Sequence, residues 1–290
     1  MNMNRIDLHT HSTASDGTDS PTELIRKAAA AKLAVLALTD HDTLDGLAEA
    51  AREAEASDLV FIRGCELSTA TPWGEAHFLG LWISENAGRT ALLEKALAEV
   101  REKRLARNLR IAEKLRALGM DVTYEAAAAL AGRVVGRPHF AELLCRMGVV
   151  ENRREAFRRY LGRDGLAYEP RDLMSPERAV SLLKSSGALV SMAHPRLLRA
   201  PAEELEKLVS GLKESGLDAL EAYHSEHDAG DVRLCVDLAA KYELQLTGGS
   251  DYHGLAKPKI AIGCGHGSLR VGLSVYESLM KYREKMGLTG

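Results

Sequence analysis

His9 and His11 stand two residues apart in the string DLHTHS. An extended segment points both imidazoles to one side, where two nitrogen donors can grip one metal ion. Imidazoles and carboxylates recur further along: Asp40, His41 and Asp42 in LALTDHD, Glu66 in FIRGCELS, His77 in EAHFLG, His194 in LVSMAHP, and Asp251 with His253 in LTGGSDYHG. Asp16 follows the first pair in the loop STASDGT. Taken singly, each reads at least as well as a helix cap, a turn former or a hydrogen-bonded core histidine. As a set they do not, because six histidines and three or more carboxylates at successive strand ends would converge on one mouth and need cations to balance them. Sulfur is absent from the set, which favours Mn2+, Fe2+ or Zn2+ over a thiolate site, and nine candidate ligands exceed what one ion uses. Two or three ions are expected.

The elements that must position these groups alternate between short β-branched runs and longer helical ones, the pattern of parallel βα units. Strands are expected at residues 5–9, 34–39, 59–66, 75–83, 188–193, 219–222 and 244–247, and helices at 21–32, 43–56, 202–215 and 231–242. A barrel and a doubly wound sheet both fit, and both place chemistry at the carboxyl ends of their strands. From 92 to 183 the pattern turns almost wholly helical. The expected organisation is a metal-binding body at 1–91 and 184–290 carrying a basic helical insertion at 92–183. Between Arg101 and Arg171 sixteen Lys/Arg face nine Asp/Glu, leaving 22 basic and 32 acidic residues elsewhere. The overall charge of −3 thus conceals an acidic body and a basic module, a combination suited to an anionic substrate or nucleic acid.

Composition excludes other classes. A chain of 290 residues with 46% hydrophobic content can bury a core and is not a disordered one. No run nears the roughly 20 apolar residues of a membrane span. The start MNMNRIDLHTHS lacks the apolar stretch of a signal peptide, so a soluble cytoplasmic protein is expected. Cys65, Cys145, Cys235 and Cys264 are scattered without a C-x-x-C pair and read as buried small hydrophobes.

The strings DLHTHSTASDGT, LALTDHDT, GCELS, AHP and GSDYHG resemble, in order and spacing, the motifs of the PHP (polymerase and histidinol phosphatase) family of metal-dependent phosphoesterases. GRPHFAELL at 136–144 and the helical insertion resemble the subgroup that acts on nucleoside 3′,5′-bisphosphates or trims RNA from its 5′ end. The resemblance implies an α/β fold, a distorted TIM-like (β/α)7 barrel with a trinuclear site. His9, His11, Glu66 and Asp251 would hold the first ion, Glu66 would bridge to a second with His77 and His194, and Asp16, His41 and His253 would hold the third. Asp16 stands where some relatives carry histidine, a change towards a harder ion such as Mn2+. Asp7, Asp40 and Asp42 would orient ligand histidines or cap the following helix. Arg137, His139, Arg196 and His224 would meet substrate phosphate, His227 would lie in a loop, and His266 in GCGHGS would be structural. His194 or Asp251 would also help protonate the leaving oxygen.

The activity implied is phosphomonoester hydrolysis by a metal-bridging hydroxide, removing the 3′-phosphate of a nucleoside 3′,5′-bisphosphate such as adenosine 3′,5′-bisphosphate to give the 5′-nucleotide. The alternative is a 5′→3′ exoribonuclease on short 5′-phosphorylated RNA. Less favoured are a phosphatase of the histidinol phosphate kind and a metal-binding module without turnover, which a depleted ligand set would mark. A small phosphorylated nucleotide or short RNA is the expected partner, with no membrane and no obligate protein partner.

Overall fold

The computed structural model describes residues 5–131 and 134–288; residues 1–4, part of the stretch read for a leader, lie outside it. Seven strands pair in sequence order: β1 (Ile6–Asp7), β2 (Val35–Leu38), β3 (Val60–Thr71), β4 (Gly74–Leu81), β5 (Leu189–Ala193), β6 (Ala219–His224) and β7 (Gln245–Gly249). The sheet all but closes on itself, since Leu8 N donates to Gly248 O at 3.2 Å and Asp251 N to His9 O at 2.9 Å. The helices are α1 (Pro21–Ala30), α2 (Leu47–Ala54), α3 (Ala87–Ala117), α4 (Tyr124–Ala128), α5 (Arg137–Arg146), α6 (Arg153–Ala156), α7 (Pro176–Ser185), α8 (Ala202–Glu214), α9 (Ala229–Lys241) and α10 (Leu273–Lys285).

Strand periodicity sorts the core into layers. Val35 and Ala37 of β2 join Ile6, Leu8, Ile62, Leu79, Leu81 and Leu189 in one buried cluster. Leu36 and Leu38 pack instead with Leu24, Ile25 and Ala28 of α1 and Leu47 of α2. Each such fully buried leucine contributes about 2 kcal/mol. α1 starts where its sequence says it should: Ser20 Oγ accepts from Glu23 N, Glu23 returns the bond to Ser20 N, and Pro21 opens the first turn.

One expectation fails in an informative way. The sheet is not all parallel, because β4 runs antiparallel to both β3 and β5. Thr71 and Gly74 pair across a hairpin, so no helix separates these two strands.

The chain forms two compact units, Met1–Ala96 with Leu173–Gly290, and Leu97–Asp172. The second has its own core, built from Ile111, Leu115, Val122, Phe140, Leu144, Tyr160 and Leu161. It includes a π-helical turn at Phe157–Leu161. No described helix is long and apolar enough to cross a membrane. All four cysteines are free; Cys65 and Cys235 are buried as expected, whereas Cys145 and Cys264 are only partly covered.

Candidate metal centre

The nine residues singled out by type and spacing come together in the strand-built unit. His9 and His11 follow β1, where His11 N donates to Tyr252 O at 2.9 Å and so couples them to the Asp251–His253 segment after β7. His41 follows β2 and forms a bridge with Glu66, and His194 follows β5 in a strained backbone conformation, φ +27°. Two placements differ from expectation. Glu66 does not end its strand, since β3 continues to Thr71. His77 lies early in β4, opposite Ser68 and Ala193, and reaches the mouth formed by the ends of parallel strands because β4 is reversed.

Glu66 is the hub. Its Oε2 lies 3.3 Å from His9 Nε2, 3.3 Å from His11 Nε2 and 3.0 Å from His41 Nδ1; its Oε1 lies 3.0 Å from His77 Nδ1 and 3.2 Å from His194 Nε2. Asp251 Oδ1 approaches His11 Nε2 at 3.3 Å and His9 Nε2 at 3.6 Å. Asp16 Oδ1 lies 3.3 Å from His253 Nε2, and its Oδ2 lies 4.0 Å from His41 Nε2. His11, Asp16, His41 and His253 form one group of donor atoms close enough to share an ion, and His9, His11 and Asp251 form another. Glu66 completes further groups with His9 and His194 and with His41 and His77.

The donor set fits divalent cations. His9 Nε2, both nitrogens of His11, His41 Nδ1, His77 Nε2 and Glu66 Oε2 are buried without a hydrogen-bond partner, a cost that native interiors avoid unless something else satisfies them. Tautomers are set from behind. His9 Nδ1 faces Glu221 at 3.0 Å and His253 Nδ1 donates to Asp251 O at 2.8 Å, which leaves the Nε2 lone pair of each ring free for an ion.

Electrostatics point the same way. Burial opposes charge on His9, yet the carboxylates of Glu221, Glu66 and Asp251 outweigh it and raise its pKa well above the usual value. His11, against Asp251 and Glu66, is likewise raised despite burial, to about 9, and His77, against Glu66 and Glu75, to about 10. Glu66 overcomes its burial through His41, His9 and His77 and is held well below the carboxylate range. His194 goes the other way, pushed down by burial to about 4. Carboxylates this deep demand positive charge; imidazoles meet that demand only by taking protons, and a divalent ion meets it with the rings neutral.

The outer residues divide. Asp7 accepts from Ser250 N, Ser250 Oγ and Gly263 N; Asp40 from Ser12 and Ser15; Asp42 from Ser68. These three therefore fix loops and strand backbone rather than forming the expected cap on α2, whose N-cap is Gly46. The ring-orienting role falls to Glu221, fully buried in β6, which holds His9 Nδ1 and accepts from His194 N at 2.8 Å. Its signal was present: a glutamate inside the apolar string ALEAY has no reason to be buried unless paired.

His224 is buried against the cluster with Nε2 3.5 Å from Asp251 Oδ2. Its Nδ1 accepts from Glu226 N at 3.1 Å, so the neutral ring carries its proton on Nε2 and presents a donor rather than a ligand lone pair. Arg196 is paired with Asp231 at 2.9 Å, His227 Nδ1 donates to Ala222 O, and His266 meets Glu226 at the surface. Arg137 and His139 belong to the helical unit. There Arg137 donates to Leu161 O and lies over the rings of Phe157 and Tyr168, while His139 Nδ1 accepts from Gly136 N at the start of α5.

Comparison with known proteins agrees with this geometry. A "5′-3′ exoribonuclease" of Haemophilus influenzae is 32% identical over 281 residues, covering 97% of this chain and 98% of its own. A "3′,5′-nucleoside bisphosphate phosphatase" of Chromobacterium violaceum is 34% identical over 255 residues, covering 87% and 88%. A solved structure described as a putative metal-dependent phosphoesterase from Bifidobacterium adolescentis superposes with a TM-score of 0.80 at 27% identity over 95% of both chains. The PHP domain family matches residues 7–162, and with relatives at this identity over nearly the whole length, the chain belongs to the PHP family.

Proposed function

We propose that the protein is a metal-dependent phosphomonoesterase that removes the 3′-phosphate of nucleoside 3′,5′-bisphosphates. The observation that carries the reading is the convergence of five imidazoles on Glu66, with buried nitrogens of His9, His11 and His41 lying without hydrogen-bond partners around its equally unpartnered Oε2. His9, His11, Glu66 and Asp251 would hold one ion; Glu66, His77 and His194 a second; Asp16, His41 and His253 a third. Bound divalent ions, with Mn2+ favoured by the hard carboxylate of Asp16 among the donors, supply a water activated near neutral pH and neutralise phosphoryl charge. His224 offers an N–H to a phosphate oxygen, and Arg196 offers a guanidinium once released from Asp231. Arg137 and His139 are the helical unit's candidates for binding phosphate, the guanidinium being held by aromatic faces and the Leu161 carbonyl.

A 5′→3′ exoribonuclease is the second reading, favoured by the relative of that name that spans nearly the whole chain. Against it stands a thin supply of stacking surfaces. Among four Phe and two Trp, Phe78 and Phe140 are fully buried, and Trp82 lies beneath Arg283 at 4.4 Å. The deciding experiment compares phosphate release from adenosine 3′,5′-bisphosphate with mononucleotide release from a 5′-phosphorylated oligoribonucleotide. A kcat/KM for the oligomer a hundredfold higher would reverse the ranking, and no hydrolysis of either with Mn2+ present would remove the enzymatic reading.

A further inference from the structure

Asp251 spends its two oxygens on different partners. Oδ1 lies among the cluster imidazoles, 3.3 Å from His11 Nε2 and 3.6 Å from His9 Nε2. Oδ2 is taken by Lys257 Nζ at 2.6 Å and faces His224 Nε2, the protonated nitrogen of that ring, at 3.5 Å. The residue has little other freedom: its backbone sits at φ +56° and its N–H is bonded to His9 O at 2.9 Å, so side-chain rotation is what remains to be fixed. The turn carrying the lysine is anchored as well. Leu255 N donates to Thr18 Oγ1 at 2.7 Å, and Lys257 N donates back to Gly254 O.

We propose that Lys257 is a positioning residue that commits Asp251 to single-oxygen ligation by occupying Oδ2. The inference rests on the metal reading above. A carboxylate that can offer both oxygens chelates, and large oxygen-seeking ions gain most from chelation. Holding one oxygen back, and adding a positive charge at hydrogen-bond distance from a ligand, weakens the site for such ions and keeps part of the coordination open to substrate and water. The Lys257 side chain is 41% exposed, so replacing it removes a charge without opening a hole in the core.

The test titrates metal-free wild type, Lys257→Met and Lys257→Arg with Mn2+ alone and with Zn2+ alone by calorimetry, alongside a melting curve for each. Lys257→Met is expected to bind Mn2+ about three- to tenfold more tightly, with Zn2+ shifting less, while Lys257→Arg follows wild type. Lost packing by itself would loosen the site, so the direction of the shift separates positioning from a merely structural role. Unchanged or weaker Mn2+ binding by Lys257→Met, or a shift shared by Lys257→Arg, overturns the inference alone. No divalent-ion uptake by wild type overturns the metal reading and this inference with it.

Discussion

The strand-built unit and the helical unit treat charge in opposite ways. In the first, Glu66, His9 and His11 are fully buried, and several of their polar atoms lack hydrogen-bond partners. In the second, Glu142 pairs with Arg146 and Arg153, Glu155 with Arg159, and Glu169 with Lys114 and Arg110, with every one of these cations at least 44% exposed. Exposed pairs are worth about 0–1 kcal/mol and report little beyond solvation, whereas a cluster of buried imidazole and carboxylate atoms without partners costs stability and points to a ligand, a signal that isolated atoms such as Arg63 Nε and Asn108 Oδ1 do not carry. Charge density would point to the helical unit; unmet bonding capacity points to the strand ends.

The contrast can be broken most severely at Glu66. Glu66→Gln removes one charge from a carboxylate facing five imidazoles, and kcat is expected to fall on the order of a thousandfold, several kcal/mol of lost transition-state stabilisation, with bound metal reduced. Full activity with unchanged metal content, measured by elemental analysis, would sink the hub assignment. Glu221→Gln should cost about 10–100-fold in metal affinity or activity, since it loosens the His9 ring and the His194 backbone that the carboxylate holds. Wild-type affinity would make Glu221 a packing residue.

Protons sharpen the same comparison. With His9 raised well above its usual value, His11 at about 9 and His77 at about 10, all three rings are protonated at pH 7.5 in the metal-free protein, so loading should release about three protons and tighten as pH rises. Calorimetry in buffers of different ionisation enthalpy counts them. The same raised values add stability to the metal-free protein that is fully present below about pH 6.5, the unfolded value, and is lost as pH climbs through 9 to 10. Its melting temperature should fall across that window while the loaded protein changes less; parallel curves would contradict this account. The smallest effect belongs to the helical surface, where Glu142→Gln should shift stability by less than about 1 kcal/mol in a denaturant melt and leave turnover unchanged.

Much of the fold was legible because periodicity is local. The strand at 34–39 and the helix at 21–32 emerge within two residues as β2 and α1, since alternation and a capping box need only near neighbours. The reversal of β4 was not legible from those runs, because an apolar strand reads the same in either direction; here the hairpin at Thr71–Gly74 decides it. Glu221 was hidden for a related reason, as its partner His9 lies 212 residues away and no local pattern joins them.

By itself the sequence determined the donor types, their absence of sulfur and their attachment to successive strands, because these are properties of residues and short spacings. The tertiary structure decided which atom of each residue meets which. Near closure of the sheet between β1 and β7 brings His9 and His11 to Asp251, the backbone of Glu226 makes His224 a donor, and Lys257 divides the two oxygens of Asp251. Such choices depend on direction in space, and direction is fixed only when distant strands lie side by side.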